Sequence, residues 1–147
     1  MPNQVSYNYS DNLLFILSML ECIEKLDLYI APYANASAFF EANDQLEYNA
    51  SCHLLLAIGE ESKKINLQLK DEISFIEWNE IAGLRNRIAH DYRGLDFEMV
   101  YLIIKNELGI LKQALIQFVK IINPEQAELK LLVQSKYFKH LGYLIHS

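Results

Sequence analysis

Apolar residues recur at three- and four-residue steps along most of this chain, which is the spacing of one helix face. The first such stretch carries Leu13, Leu17, Leu20, Ile23 and Ile30. Ser10 or Asp11 can cap this helix, and Pro32 ends it because proline lacks the amide hydrogen that a helix interior needs. Residues 33–43 are mostly small and polar, so they predict a loop with at most one helical turn.

The middle of the chain predicts two more helices. A second helix is expected to open at Asn43 or Asp44, because either side chain can accept a hydrogen bond from a first-turn amide. One side of it carries Leu46, Ala50, His53 or Leu54, Ala57, Ile58 and Ile65. After a connector to about Phe75, a third helix begins near Glu77 and is broken by Gly94. Its buried side is predicted to hold Trp78, Ile81, Ala82, Leu84 and Ile88.

Capping residues mark two further helices. Asp96 can cap a fourth helix that continues to about Ile122. Asn123 followed by Pro124 has the form of a helix start, and it predicts a fifth helix that reaches about Leu144. No stretch reads as a convincing strand. The predicted fold is therefore all-α, an up-and-down bundle of four to five helices.

The composition fits one packed domain. The chain has 147 residues, of which 52% are hydrophobic and 22% charged, and this balance excludes a disordered protein. We expect residues 1–147 to form a single domain, with a core at about 11–122 and an extra helix at about 124–144. Cys22 and Cys52 do not have the spacing of metal ligands. The N-terminus lacks the basic stretch of a signal peptide. The apolar run 13–17 is too short to cross a membrane. These features predict a cytoplasmic protein with free thiols.

Charge is unevenly distributed around a formal net charge of −6. The first 60 residues hold eight acids and a single base, Lys25, whereas the remainder holds twelve bases against eleven acids. Phosphate neutralisation drives affinity for nucleic acids, so an acidic chain is a poor general nucleic-acid binder. Any RNA contact must be local. It is expected around Arg85, with Arg87 and Arg93 as RNA-binding residues and with help from Lys63 and Lys64.

The segment 85–92 concentrates chemically useful side chains, namely Arg85, Asn86, Arg87, His90 and Tyr92. Arginine offers paired donors to a phosphate and stays charged, while histidine exchanges protons near neutral pH. Together they can cleave a phosphodiester, and no metal and no cofactor is expected. His90 would deprotonate a ribose 2′-hydroxyl or protonate the departing 5′-oxygen, and Arg85 would bind the phosphate. Asn86 would orient the imidazole or donate to a phosphate oxygen. The product would be a 2′,3′-cyclic phosphate.

Helix geometry limits how these groups can cooperate. On a regular helix Asn86 and His90 share a face and Arg85 aligns with Tyr92, but Arg85 and His90 lie about 140° apart. A single unbroken helix therefore does not easily aim both groups at one phosphate. Either the helix distorts before Gly94, or a second copy of the chain completes the site. A symmetric homodimer is favoured, because an isologous contact places two copies of each group around one cleft.

These residues carry a family resemblance. The segment 78–92 resembles the HepT-like branch of the HEPN superfamily, whose motif is an arginine, four residues, a histidine, one residue and a tyrosine. Two further matches to that branch are Ile58-Gly59-Glu60 and Gly94-Leu95-Asp96. The likeness covers about residues 11–120. Relatives tend to carry an arginine earlier in the second helix, where this chain has Asn49, Cys52 and His53.

The resemblance implies a small helical dimer that acts as a metal-independent RNA endonuclease, commonly a toxin. The usual partner of such proteins is a minimal nucleotidyltransferase antitoxin, which attaches AMP to the motif tyrosine. Carried across, Arg85 and His90 would be catalytic, Asn86 would support them, and Tyr92 would accept the nucleotide. The attached AMP would add bulk and negative charge beside the arginines, so it should block RNA binding.

A non-catalytic function remains as the alternative. Arg85 and Arg87 can be cations that the helix dipole favours near a C-terminus, and an isolated His90 or Tyr92 is more often structural than catalytic. On that hypothesis the chain is a helical interaction module that docks a nucleotidyltransferase. RNA cleavage that depends on His90 separates the two functions.

Overall fold

The computed structural model describes residues 8–145, and helices follow one another through this part of the chain without a strand. The α-helices are α1 Leu13–Ile30, α2 Ala36–Glu41, α3 Leu46–Lys64, α4 Leu67–Asp71, α5 Trp78–His90, α6 Phe97–Leu102, α7 Leu108–Ile122 and α8 Gln126–Val133. A π-helical segment, Ile103–Glu107, joins α6 to α7. Short 3₁₀ turns include Ser10–Asn12, Tyr92–Gly94 and Gly142–Leu144. The predicted all-α bundle is confirmed.

Helix α1 lies at the centre of the core. It packs against α3 on one side and α7 on another, while α5 packs against α3. Its fully buried side chains are Ile16, Leu17, Met19, Leu20, Ile23 and Leu26. The main contributions from α7 are Leu111, Ala114, Leu115 and Phe118. Burial of each large apolar side chain contributes about 1.5–3 kcal/mol to stability, so α1 and α3 are held firmly together. Helix α5 packs on the α3 helix that is held in this way.

The predicted helix cap at Asp96 is confirmed by its hydrogen bond. The Asp96 side chain accepts from the Glu98 amide at 2.9 Å, and the helical run that follows ends at Ile122 as expected. In the predicted loop 33–43, the Asn35 side chain accepts from the Ala38 amide at 2.8 Å and starts the short helix α2. The predicted connector before Phe75 also contains a short helix, α4.

The start of α3 differs from the prediction. Asn43, Asp44 and Gln45 all adopt left-handed backbone conformations, with φ of 51°, 54° and 67°, so the helix begins at Leu46. The Asn43 side-chain Nδ2 instead donates to Glu47 Oε1 at 2.7 Å. Asparagine and aspartate visit this conformation more easily than most residues, which explains why this sequence tolerates a left-handed turn.

The fifth predicted helix is too long. Asn123 was expected to cap its N-terminus, but with φ of 52° this residue ends α7, and α8 runs only from Gln126 to Val133. Asparagine suits a left-handed helix end as well as an N-cap, so the sequence pattern allowed both assignments. The end of the described chain packs back on the bundle. His140 Nδ1 lies 2.6 Å from Oε1 of buried Glu21.

Two physical properties bear on the class of protein. Among residues 8–145, no helix combines the length and apolar character that a membrane crossing requires. Cys22 and Cys52 are both free thiols, as predicted, and burial raises the pKa of Cys22 to about 11. His146, the last histidine of the chain, lies outside the described residues.

Candidate active site

Helix α5 carries most of the candidate residues and is unbroken from Trp78 to His90. Ile88 is the buried residue of α5, and it anchors the helix to the core. The helix ends at Asp91, whose backbone leaves the helical region with φ of −141°. The sequence left open whether a distortion of this helix brings Arg85 and His90 together. No such distortion lies between these two residues.

Arg85 contacts Gly59 and Glu60 of α3 and Asn86 of its own helix. Its Nε–H donates to Glu60 Oε1, and its Nη1 donates to Asn86 Oδ1 at 3.1 Å. Gly59 lets the stem of Arg85 approach, since a Cβ at position 59 would lie 2.4 Å from Arg85 Cβ. The Arg85 hydrogen bond is the largest cause that lowers the pKa of Glu60, so this carboxylate is an anion at neutral pH. The guanidinium is thus fixed at the junction of α3 and α5.

His90 lies exposed at the last position of α5. Within residues 8–145 its imidazole makes no hydrogen bond and no ion pair, unlike Arg85. Neither ring nitrogen of this exposed residue is engaged by another described residue, which suits a group that exchanges protons with a substrate. On the unbroken helix His90 and Arg85 lie about 140° apart.

Tyr92 lies beyond the helix, in the turn Tyr92–Gly94. The predicted alignment of Tyr92 with Arg85 on one helix face is therefore wrong, because α5 ends two residues earlier. The Tyr92 hydroxyl instead donates to Asn49 Oδ1 on α3. Burial is the main cause that raises the pKa of Tyr92, with Cys52 as the second, so the phenol keeps its proton at neutral pH. Tyr92 as a whole residue is nevertheless 42% exposed.

The other two arginines of the motif stand apart from Arg85. Both Arg87 and Arg93 are exposed. Arg87 Nη1 contacts Met99 Sδ at 3.5 Å, which is a weak interaction for a charged donor. Neither makes an ion pair among the described residues, so both keep donors free for an anion.

An apolar groove of about 630 Å³ borders the Arg87 side of α5. Its walls come from α3, the segment 75–77, α5 and the helical run that contains α6 and α7. The apolar lining includes Leu55, Ile58, Phe75, Ile76, Ile81, Leu84, Met99, Ile103, Leu108, Ile110 and Leu111. Its charged residues are Glu77, Glu80, Arg87 and Glu107.

Known proteins resemble this chain over the same residues. The family model described as "Ribonuclease HepT-like" matches residues 19–122, which include α5 and the turn at Tyr92. The chain belongs to the HepT-like ribonuclease family. The resemblance that the motif carried is therefore confirmed.

Individual relatives of the HepT-like chain agree with this family. Two proteins of Methanocaldococcus jannaschii, each named "Putative RNase", are 32% identical over 74 residues and 34% identical over 83 residues. These matches span 50% and 56% of this chain and 67% and 68% of the relatives. A "Putative RNase" of Caldanaerobacter subterraneus is 30% identical over 56 residues, or 38% of this chain and 50% of that protein. No solved structure matches the chain.

Sequence reasoning missed three residues of this HepT-like site. Gly59 and Glu60 were noticed only as part of the resemblance, and Asn49 only as a departure from it. A glycine inside an amphipathic helix is a signal of close approach by another segment, so Gly59 could have been singled out. Glu60 and Asn49 meet Arg85 and Tyr92 only because α3 and α5 pack together. No spacing within the motif points to them.

Proposed function

We propose that this HepT-like protein is a metal-independent endoribonuclease that acts as a toxin. The observation that carries the proposal is one helix, α5, that presents both a fixed guanidinium at Arg85 and an unpartnered, exposed imidazole at His90. Membership of a ribonuclease family supports RNA as the substrate. Arg87 and Arg93, with their free donors, are the proposed contacts to the flanking phosphates.

The proposed reaction is an internal transfer at phosphorus. One His90 accepts the proton of a ribose 2′-hydroxyl, and the resulting oxygen attacks the adjacent phosphorus. The bond from phosphorus to the 5′-oxygen breaks, and the His90 of a second copy supplies the proton that this oxygen takes up. Arg85 stabilises the charge on the phosphoryl oxygens, and Asn86 supports the Arg85 guanidinium through its side-chain oxygen. The products are a 2′,3′-cyclic phosphate and a 5′-hydroxyl.

The direct test is incubation of RNA with the purified protein in the presence of EDTA. The proposal requires fragments that end in a 2′,3′-cyclic phosphate, which mass spectrometry distinguishes from a 3′-hydroxyl. Binding of a nucleotidyltransferase without any RNA cleavage would instead support the non-catalytic module.

The second copy that this reaction needs is proposed to dock on the apolar groove. Phe75 and Ile110 leave apolar surface exposed in this groove, which favours a protein partner. An isologous contact would place the same groove of both copies face to face. Gly83 leaves the α5 surface open, with nothing within 4 Å of a Cβ at that position. His90 follows Arg87 by three residues and lies near this side of α5, so docking here would place the His90 of each copy close to the interface.

A charge in the groove should separate the copies. Ile110 is 56% exposed and lines the groove, so Ile110→Glu would bury a carboxylate in an apolar interface. We expect wild-type protein to have twice the chain mass of 17.1 kDa by light scattering and the variant to have that single mass. Leu131→Glu, at a 71% exposed position of α8 outside the groove, is the matched control and should stay dimeric. A dimeric Ile110→Glu protein would refute the proposed interface.

Control by AMP is proposed to act at Tyr92. The Tyr92 oxygen attacks the α-phosphorus of ATP on a nucleotidyltransferase, pyrophosphate leaves, and a base of that partner takes the phenolic proton. The hydrogen bond to Asn49 holds the hydroxyl at one place, and the exposed ring is accessible to an enzyme. The added phosphate would then compete with RNA for the nearby arginines.

Removal of the Tyr92 hydroxyl should prevent this modification completely. After incubation with a minimal nucleotidyltransferase and ATP, mass spectrometry should find AMP on the wild-type chain and none on Tyr92→Phe. Tyr137→Phe, at a 67% exposed position in the C-terminal segment, should carry AMP like the wild type. AMP on the Tyr92→Phe chain, or none on the wild type, would exclude this mode of control.

A further inference from the structure

Arg85 uses only part of its hydrogen-bonding capacity within the protein. A guanidinium has five N–H donors. Nε–H is taken by Glu60 and one Nη1 hydrogen by Asn86. The other three, both on Nη2 and one on Nη1, have no partner among residues 8–145. Glu60 therefore binds one edge of the guanidinium and leaves the opposite end free.

Glu60 is itself well placed to define the direction of Arg85. It stands next to Gly59, on which the Arg85 stem packs, so Cβ, Cγ and Nε of Arg85 are all fixed by two consecutive residues of α3. Lys63 Nζ also lies 3.8 Å from the same Glu60 oxygen, and this second cation helps to hold the carboxylate in place. The Arg85 side chain is 23% exposed, so its free end still reaches solvent.

We propose that Glu60 is a positioning residue that orients Arg85, so that the Nη donors rather than Nε face the RNA phosphate. This inference rests on the proposed ribonuclease function. An arginine with a fixed fork loses less side-chain entropy when it binds the transition state than one that rotates freely. Glu60 would thus act on the rate through Arg85, without touching RNA.

The opposite role is a clear competitor. If Glu60 were an internal substitute for phosphate, it would hold Arg85 away from RNA, and its loss would raise activity. Geometry favours positioning, because Glu60 engages Nε and three of the four Nη donors remain unoccupied. A competitor for phosphate would be expected at those Nη donors.

The test compares Glu60→Ala with Glu60→Gln in steady-state RNA cleavage. Glu60→Ala removes the acceptor of Nε–H and should lower kcat about tenfold or more, with a smaller change in KM. Glu60→Gln keeps an oxygen at that place and should restore most of the lost rate. Glu61→Ala is the matched control, because Glu61 pairs with Lys64 at 3.2 Å and not with Arg85, and it should cleave like the wild type.

A double variant shows whether Glu60 works through Arg85. In an Arg85→Lys protein, which keeps the charge but lacks Nε–H, Glu60→Ala should cause no further loss of rate. A Glu60→Ala chain with unchanged or increased kcat would overturn the positioning role while leaving the ribonuclease function standing. Equal losses for Glu60→Ala and Glu60→Gln, or additive losses with Arg85→Lys, would also overturn it. A wild-type chain that fails to cleave RNA would overturn the proposed function and this inference together.

Discussion

His90→Ala should abolish RNA cleavage, with a loss of about 10²–10⁴-fold in kcat, because general acid–base catalysis typically contributes this much. The fold should not change. His90 is exposed at the end of α5 and makes no hydrogen bond or ion pair within residues 8–145, so alanine removes no stabilising contact there. A labelled RNA on a denaturing gel, with EDTA present, measures the rate. Circular dichroism melting measures the stability.

The matched control for this variant is His53→Ala. His53 is also an exposed histidine on a helix, but it lies on α3 and outside the motif. We expect the His53→Ala chain to cleave RNA at the wild-type rate and to melt at the same temperature. A His90→Ala protein that retains full activity would remove the imidazole from the mechanism, whatever else the motif does.

Helix positions were largely predictable from local sequence. Asp96 marks the start of a helix because its short side chain accepts an amide hydrogen two residues further on, and the structure shows that bond. Asn123 misled for a related reason, since asparagine suits both an N-cap and a left-handed helix end. The extent of α8 depended on packing of the C-terminal segment, including the contact of His140 with Glu21. Local spacing does not encode such a contact.

The candidate site also has residues that local sequence predicts and residues that only packing brings together. The chemical groups of α5 were readable because Arg85, Asn86 and His90 are close in sequence. The residues that bind the motif were not readable, because they are distant in sequence. Glu60 lies 25 residues from Arg85, and Asn49 lies 43 residues from Tyr92. Tyr92 shows the limit most clearly. Its place on the α5 helical wheel was an extrapolation, and the end of the helix at His90 sends its hydroxyl to α3 instead.

The mechanism rests on the proposal that two copies of the chain supply the two imidazoles of one reaction site. A heterodimer tests it, with one wild-type protomer and one His90→Ala protomer, each with its own affinity tag and purified through both tags in sequence. A wild-type pair with the same two tags is the control. If one imidazole removes the 2′-proton and the other protonates the 5′-oxygen, a single alanine breaks the site.

RNA cleavage by this mixed dimer is the deciding measurement. We expect the mixed dimer to lose nearly all activity, as the double His90→Ala dimer does. Two self-sufficient sites, one in each protomer, would leave about half of the wild-type rate. A mixed dimer that keeps half the rate, or a chain that forms no dimer and still cleaves, would contradict the shared site.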